Sequence, residues 1–392
     1  MNDAVVILSA QRTPIGAFQG ALAGLTAPQL GAAAAKAAIA AAGLQGADIQ
    51  EVIMGCVLPA GLGQAPARQV ALAAGVPAST PATTINKMCG SGMKAVMLAA
   101  DQLRCGDLDF ALAGGIESMS NAPYLLPKAR SGYRMGHGEL LDHMFYDGLQ
   151  SAWDGQLMGC FAENTADKYH LTRAEQDAFA TESVTRALRA VKAGDFAAEI
   201  APVTIKGRKG ETTLSQDETP FTCDIAKIPA LKPAFRKDGT VTAASSSSIS
   251  DGAAALVLAR ESAARSRKLQ PLARVLAYAS HAQAPEWFTT APEAAIQKVL
   301  TRAGWKTGDV DLFEINEAFA AVALVAIRDL GLDPAKVNVN GGACALGHPV
   351  GATGARIITT LLHALRRRGL RRGVAALCIG GGEATAIALE LI

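Results

Sequence analysis

The chain repeats itself. Ala42-Gly43-Leu44, followed by Asp48-Ile49-Gln50-Glu51-Val52-Ile53-Met54-Gly55, aligns without gaps on Ala303-Gly304-Trp305 followed by Asp309-Val310-Asp311-Leu312-Phe313-Glu314-Ile315-Asn316. Each copy reads as a helix that ends at glycine and then a buried strand. A second match follows. Cys89-Gly90-Ser91-Gly92 opens an apolar helix (Met93, Val96, Met97, Ala100) that leads through Gly106 to the strand Phe110 to Gly115. Its later counterpart is His348-Pro349-Val350-Gly351-Ala352-Thr353-Gly354, a helix with Ile358, Leu361, Leu362 and Leu365, then Gly369 and the strand Val374 to Ile379 with Gly380-Gly381-Gly382. A duplicated unit constrains architecture more firmly than local propensity. Alternating strands and helices with short glycine-marked joints predict two packed α/β halves, each with a mostly parallel sheet covered by helices. Sites in such folds gather at strand C-terminal ends.

From about Ser120 to Pro233 the composition changes, with Gly132, Gly136, Gly138, Met135, Met144, Met158, several Tyr and a helical stretch from Arg173 to Ala193. An insertion is predicted there. The expected organisation is residues 1–119 and 234–270 as the first half, 120–233 as an inserted loop domain, and 271–392 as the second half. With 392 residues, half of them apolar, the chain has ample material for two or three packed units.

The charge balance excludes some roles. Lys plus Arg number 37 against 35 acidic residues, a net charge of +2, so no field strong enough to select nucleic acid is present. The start, Met1-Asn2-Asp3 followed by Ala4-Val5-Val6-Ile7-Leu8, reads as a first strand rather than a leader, and no secretion is expected. The Ala-rich run Ala32 to Ala42 contains Lys36 and is shorter than the roughly 18 apolar residues of a membrane span, so a buried helix is predicted and no membrane association. Seven cysteines, an odd number without a C-x-x-C pair, point to free thiols in a reducing cytoplasm and to no zinc site.

Three positions carry candidate chemistry. Cys89 lies between a strand ending near Ile85 and the helix opening at Gly90-Ser91-Gly92, where unpaired N–H groups and the positive dipole end are expected to lower its pKa. Taken alone, a cysteine is more often a buried structural residue. His348 holds the corresponding place in the second copy. If the halves pack about a pseudo-twofold axis, the two helix starts face one cleft, and a Cys beside a His is a nucleophile with its base. Cys378 ends a strand immediately before three glycines, a turn suited to backbone N–H donors for an oxyanion with the thiol as proton carrier. Asn316, before Glu317-Ala318-Phe319, reads as a water-holding amide or as a plain helix N-cap.

Together, Asn86-Lys87-Met88-Cys89-Gly90-Ser91-Gly92, Asn316-Glu317-Ala318-Phe319-Ala320, Gly341-Gly342, Gly347-His348-Pro349, Gly351-Ala352-Thr353-Gly354-Ala355-Arg356 and Cys378-Ile379-Gly380-Gly381-Gly382 resemble the thiolase family, nearest its acetoacetyl-CoA (acetyl-CoA acetyltransferase) branch. The resemblance spans essentially the whole chain. It implies a duplicated five-layer αβαβα core with an inserted loop domain, and a homotetramer built as a dimer of dimers. It also implies condensation of two acetyl-CoA to acetoacetyl-CoA and coenzyme A, or the reverse thiolysis of a 3-ketoacyl-CoA, by a ping-pong route. By the resemblance Cys89 takes the acyl group, His348 activates it, and Cys378 removes the proton from the second acyl-CoA. Asn316 positions a water that, with His348, stabilises the enolate oxygen, and the N–H groups of Cys89 and Gly380 form a second oxyanion hole. Leu149, Met158, Phe235, Ala243, Ser247, Ala318 and Phe319 fall where the family contacts coenzyme A, which enters as substrate and product. No metal or redox cofactor is implied.

Three positions depart from the family pattern. Leu157 stands where short-chain members carry His, and Phe288-Thr289-Thr290-Ala291-Pro292 stands where acetyl-specific members have Met-Gly-x-Gly-Pro. Pro220 and Phe221 occupy the neighbourhood of an adenine-binding arginine, with Lys227, Lys232 or Arg208 as substitutes. The rival readings are a β-ketoacyl synthase-like condensing enzyme, which pairs its Cys with two His, and a non-catalytic CoA- or lipid-binding member of the same fold. Cys378 argues against the first, and the full set Cys89, His348 and Cys378 against the second. The glycines around Gly347 do not meet the spacing or acidic partner of a dinucleotide fingerprint.

Overall fold

The computed structural model describes residues 3–207 and 210–392. Its first half contributes the strands β1 (Val5–Arg12), β2 (Glu51–Gly55), β3 (Ala82–Ile85), β4 (Phe110–Ser118) and β5 (Ser250–Arg260), side by side in the order β3-β2-β4-β5-β1. The second half contributes β6 (Ala273–Ala282), β7 (Leu312–Ile315), β8 (Arg372–Ile379) and β9 (Glu383–Leu391), in the order β7-β8-β9-β6. Val337 adds a parallel bridge to Phe313 on the open side of β7. Counting that segment as the third strand of its half, both sheets run third, second, fourth, fifth, first. The duplication read from sequence is thus a duplication of topology, and the halves join where β1 pairs with β6 through Val6–Arg274 and Ile7–Ala273.

The expected mostly parallel sheet is corrected to a mixed one. β2 runs parallel to β3 and β4, and β7 to β8, but β5 is antiparallel to β4 and β1, and β9 to β8 and β6. For β9 the cause lies at Gly380-Gly381-Gly382. A three-residue link returns a strand only antiparallel to its predecessor, and Gly381 (φ +93°) and Gly382 (φ +86°) take the left-handed conformations that tight hairpin turns demand.

Helices fill the remaining layers. α1 (Ala27–Ala41) and α2 (Pro66–Ala73) cover the outer face of the first sheet, packing on Val6, Leu8, Val52, Met54, Leu112 and Val257. Between the sheets lie α3 (Ser91–Cys105) and α8 (Thr353–Arg368), in one core with Ala111, Ala113 and Leu256 of the first sheet and Ala375, Leu377 and Ile387 of the second. α6 (Ala291–Ala303) and α7 (Ala320–Leu330) cover the outer face of the second sheet against Ala277, Phe313, Val374 and Ala376. Successive residues of one strand therefore belong to different cores, and both are apolar because neither face meets water. α8 reads the same way: Thr353 to Leu362 are all buried, as a helix enclosed on every side must be.

The insertion leaves between β4 and β5. It carries α4 (Met158–Lys168), α5 (Arg173–Ala193) and two short hairpins that pair only with themselves. Arg12, wholly buried on β1, holds it in place: the guanidinium donates to Glu199 at 2.5 Å and to both oxygens of Asp217 at 2.7 and 2.9 Å. Removing either partner would strand a buried charge.

α3 and α8 touch backbone to backbone at their first turns. A Cβ on Gly92 would lie 2.8 Å from the Ala355 nitrogen, and one on Gly354 would lie 2.4 Å from the Met93 nitrogen. Gly354→Ala is therefore expected to destabilise the protein by about 1–3 kcal/mol through overpacking, while Gly24→Ala, with nothing within 4 Å, changes little. Chemical denaturation of both variants checks this, and equal midpoints would refute the contact.

Candidate active site

The loop from Asn86 to Ser91 joins β3 to α3 and is pinned along its length. The Met88 N–H donates to Asn86 Oδ1 at 2.9 Å, the Lys87 N–H donates to Ser91 Oγ at 2.8 Å, and that hydroxyl donates to the Met88 carbonyl at 2.6 Å. Met88 sits at φ +47°, a strained conformation for a side chain of its size that persists only where the surroundings enforce it. The Cys89 sulfur that follows meets two backbone N–H groups, those of Gly380 and of Cys89 itself. Although the residue keeps some access to solvent, burial around the sulfur pushes the thiol up to about 11, against the downward pull of those N–H groups and with a smaller push from Glu117. The lowered pKa expected from the helix start is thus corrected. No cation faces the sulfur among the described residues, and lost hydration outweighs the amide dipoles.

Cys378 stands at the end of β8, 1% exposed. Burial and, secondarily, Cys89 hold its thiol well above the ordinary range, so the Cys89 sulfur is close enough to disfavour ionisation of Cys378. They share one site. The hairpin glycines serve two purposes there, turning the chain and delivering the Gly380 N–H without a side chain in the way.

His348 follows Gly347, which takes φ +105°. Its Nδ1 lies 2.6 Å from Thr353 Oγ1, and that hydroxyl donates to the Pro349 carbonyl at 2.9 Å. With its proton so committed, the hydroxyl accepts from Nδ1–H, which leaves Nε2 as the bare lone pair. Nε2 has no partner among the described residues. Burial, then the charge of Arg356, hold the imidazole down to about 3, so it is neutral and shaped as a proton acceptor. Val350, two residues on, belongs to the small apolar cluster against which Cys89 packs.

Asn316 is 1% exposed, and neither atom of its amide finds a partner among the described residues. Buried amides are otherwise hydrogen-bonded, so these atoms fit a bound molecule better than a helix cap. Its neighbour Glu317 is a support that sequence reasoning did not assign. The buried carboxylate accepts from Ser183 Oγ at 2.7 Å, Asn338 Nδ2 at 2.8 Å and the Cys344 N–H at 3.1 Å, tying the Asn316 loop to the segment that leads to His348. Glu117 was missed in the same way. It accepts the N–H groups of Val57 at 3.0 Å, Leu58 at 3.2 Å and Gly351 at 2.9 Å, and burial still pushes it up to about 7. The available signal was a lone acid closing an apolar strand.

Most of the remaining candidates form one wall. The Phe235 ring covers Gly159, where a Cβ would come within 2.3 Å of it, and stands edge-on to Phe319 with centroids 5.9 Å apart. Ser246 bridges to Phe319, and the Ser247 N–H donates to the Ala318 carbonyl at 2.9 Å. Met158 places its sulfur 3.5 Å from a Cβ built on Gly380, and Leu149 packs in the cluster that contacts Cys89. Ala243 is exposed beside this wall.

At the departures from the family pattern, Leu157 is half-buried next to Met158, while Phe288 is buried edge-on against Phe161 at 6.3 Å. Phe221 is exposed and Pro220 buried. Lys232 is exposed, Lys227 pairs with Asp224 at 3.1 Å, and Arg208 lies outside the described residues.

Known proteins resemble this chain end to end. Residues 5–262 match the family described as "Thiolase, N-terminal domain" and residues 269–391 "Thiolase, C-terminal domain". The acetyl-CoA acetyltransferase of Pseudomonas aeruginosa is 50% identical over 391 residues, covering 99% of each chain, and that of Escherichia coli is 51% identical over 387 residues, covering 98% of each. The crystal structure of the Bacillus anthracis acetyl-CoA acetyltransferase superposes with a TM-score of 0.97 at 43% identity, over 100% of both chains.

The depressed imidazole has a consequence for stability. His348 titrates near 6.5 when unfolded and about 3 when folded. The folded state therefore takes up its proton later, and the stability present above pH 6.5 is lost as the pH falls toward 3. Compared with His348→Gln, the parent should lose about 2 kcal/mol of relative stability between pH 7 and pH 5. Denaturation curves at the two pH values read this directly, and parallel behaviour of parent and variant would contradict a neutral buried imidazole.

Proposed function

The chain belongs to the thiolase family, and on that premise we propose that it is an acyl-CoA C-acyltransferase, joining two acetyl-CoA to acetoacetyl-CoA and coenzyme A or cleaving the product in reverse. One observation carries the reading. The N–H groups of Gly380 and Cys89 converge on the Cys89 sulfur, with the Cys378 thiol beside it. That is the surrounding an acyl-thioester carbonyl needs, since its oxygen would sit between preorganised donors worth a few kcal/mol in the transition state.

In the first half-reaction the Cys89 thiol surrenders its proton to His348 Nε2 as sulfur attacks the thioester carbonyl. The new S–C bond forms, the bond to coenzyme A breaks, and the proton leaves with the departing thiolate. A resting neutral pair suits this step: the thiol is not a standing thiolate, and the imidazole is unprotonated and ready to accept. In the second half-reaction the Cys378 thiol passes its proton to His348 Nε2 and, as thiolate, takes one from the methyl carbon of acetyl-CoA. The enolate oxygen then faces the protonated His348 and a water held by Asn316, the carbon attacks the acyl-enzyme carbonyl, the bond to Cys89 breaks, and the Cys89 sulfur takes its proton back from His348. Splitting the condensation lowers each barrier separately.

The names of the relatives support acetyl transfer, and the wall of Met158, Phe235, Ser247, Ala318 and Phe319 supports a coenzyme A arm lying toward Cys89. The family resemblance supports a homotetramer, and seven free cysteines support a reducing cytoplasm. Among the described residues no helix is long and apolar enough to cross a membrane.

Cys89→Ser should abolish trapping of radiolabelled acetyl on the protein. Cys378→Ala should keep that label while condensation falls by about a thousandfold or more, and equal loss in both variants would overturn the assigned roles. Among 3-ketoacyl-CoAs of increasing length, thiolysis should be fastest with acetoacetyl-CoA, and a maximum at longer chains would replace the acetyl assignment.

A further inference from the structure

Two acids at the strand ends of the site cross between the halves: Glu117 near the end of β4, and Glu383 at the start of β9. Each reaches into the opposite half. Glu117 takes the N–H of Gly351, three residues past His348 in the loop that opens α8. Glu383 pairs with Lys87 Nζ at 2.6 Å, and Lys87 lies two residues before Cys89 in the loop that opens α3. The backbones follow the same exchange. Gly115 backs onto the Gly351 carbonyl, where a Cβ would stand 2.1 Å away, and the Ile379 side chain lies against Gly90, 2.4 Å from its Cβ position.

The first-half member of this exchange has an evident task. Glu117 is wholly buried and has no cation partner among the described residues, so it contributes as an acceptor that binds loops of both halves together. Glu383 meets a lysine side chain instead of a backbone amide. The two side chains are only 21% and 35% exposed, and Lys87 is anchored at its own N–H to Ser91 Oγ, the hydroxyl that also holds the strained Met88.

We propose that Lys87 and Glu383 are a positioning pair for the nucleophile: by tying the Cys89 loop to the strand that follows the glycine turn, they keep the sulfur in register with the Gly380 N–H and with Cys378. The pair rests on the acyl-transfer reading for its consequence. Neither residue need touch the reacting atoms, since both act through the loop. Misplacing a reacting group by about 1 Å costs as much as a hundredfold in rate, whereas a partly exposed ion pair adds little to folding.

The test uses the full chain with Lys87→Met, Glu383→Gln, and the charge-reversed double variant Lys87→Glu with Glu383→Lys. Single-turnover acetylation of Cys89 by acetyl-CoA should slow about ten- to hundredfold in each single variant. KM should stay within about twofold and Tm within about 3 °C of the parent. The reversed pair should recover most of the acetylation rate. Single variants that acetylate at the parental rate would overturn the proposal. So would a change in KM alone, which would make Lys87 a coenzyme A contact, or a reversed pair no faster than the slower single variant. If the parent itself takes up no acetyl group, the acyl-transfer reading fails. The pair is then decided by alkylation of Cys89 with iodoacetamide, expected to change more than about threefold in the single variants and to return in the reversed pair, and equal alkylation in all of them would end it.

Discussion

Two helices can bring their first turns into contact only when no side chain stands between them. At Gly92 and Gly354 none does, and the backbones of α3 and α8 meet there at distances that leave no room for a Cβ. From that contact the rest follows. Helix starts from different halves are fixed side by side, and the loop before each carries one reactive group, Cys89 in one and His348 in the other. The five-layer stacking supplies the enclosure: α8 is buried on all sides through Leu362, so its start has no freedom to drift. A looser crossing would leave the same residues present and their geometry undefined, because close-packed interiors transmit small displacements.

The site so enclosed is electrically quiet. Cys89 and Cys378 are held as thiols and His348 as neutral imidazole, each by burial before any other cause. Around the site stand two buried acids, Glu117 and Glu317, both pushed up by burial, which accept backbone N–H groups of the loops that carry the chemistry. A neutral resting state suits a reaction in which negative charge appears on an oxygen only during transfer. The donors aimed at that oxygen are then not already neutralised by a standing thiolate.

Some of this was legible in the chain before any coordinates. The gap-free repeat announced two halves of one topology, and both sheets do run in the same strand order. Glycine-marked helix openings drew attention to Cys89 and His348, and a strand running into three glycines to Cys378. The same reading erred where an effect depends on surroundings. A helix start lowers a thiol pKa when the thiol is solvated, but Cys89 is packed, and burial reverses the sign. The mostly parallel sheet failed because period-2 and buried-run patterns carry no strand direction. In the second half direction was set by the glycine hairpin at Gly380, and in the first half the chain returns antiparallel after the long insertion.

Sequence alone determined which residue types are available, where the chain turns, and that one unit occurs twice, because these are local properties fixed by side-chain chemistry and spacing. Tertiary structure alone decided what faces what: that Glu117 crosses to Gly351, that Lys87 meets Glu383, 296 residues away, and that the proton of Thr353 is committed so that His348 Nε2 stays bare. Such contacts join residues with no pattern between them. They exist only once two glycines let the halves approach and water is driven out.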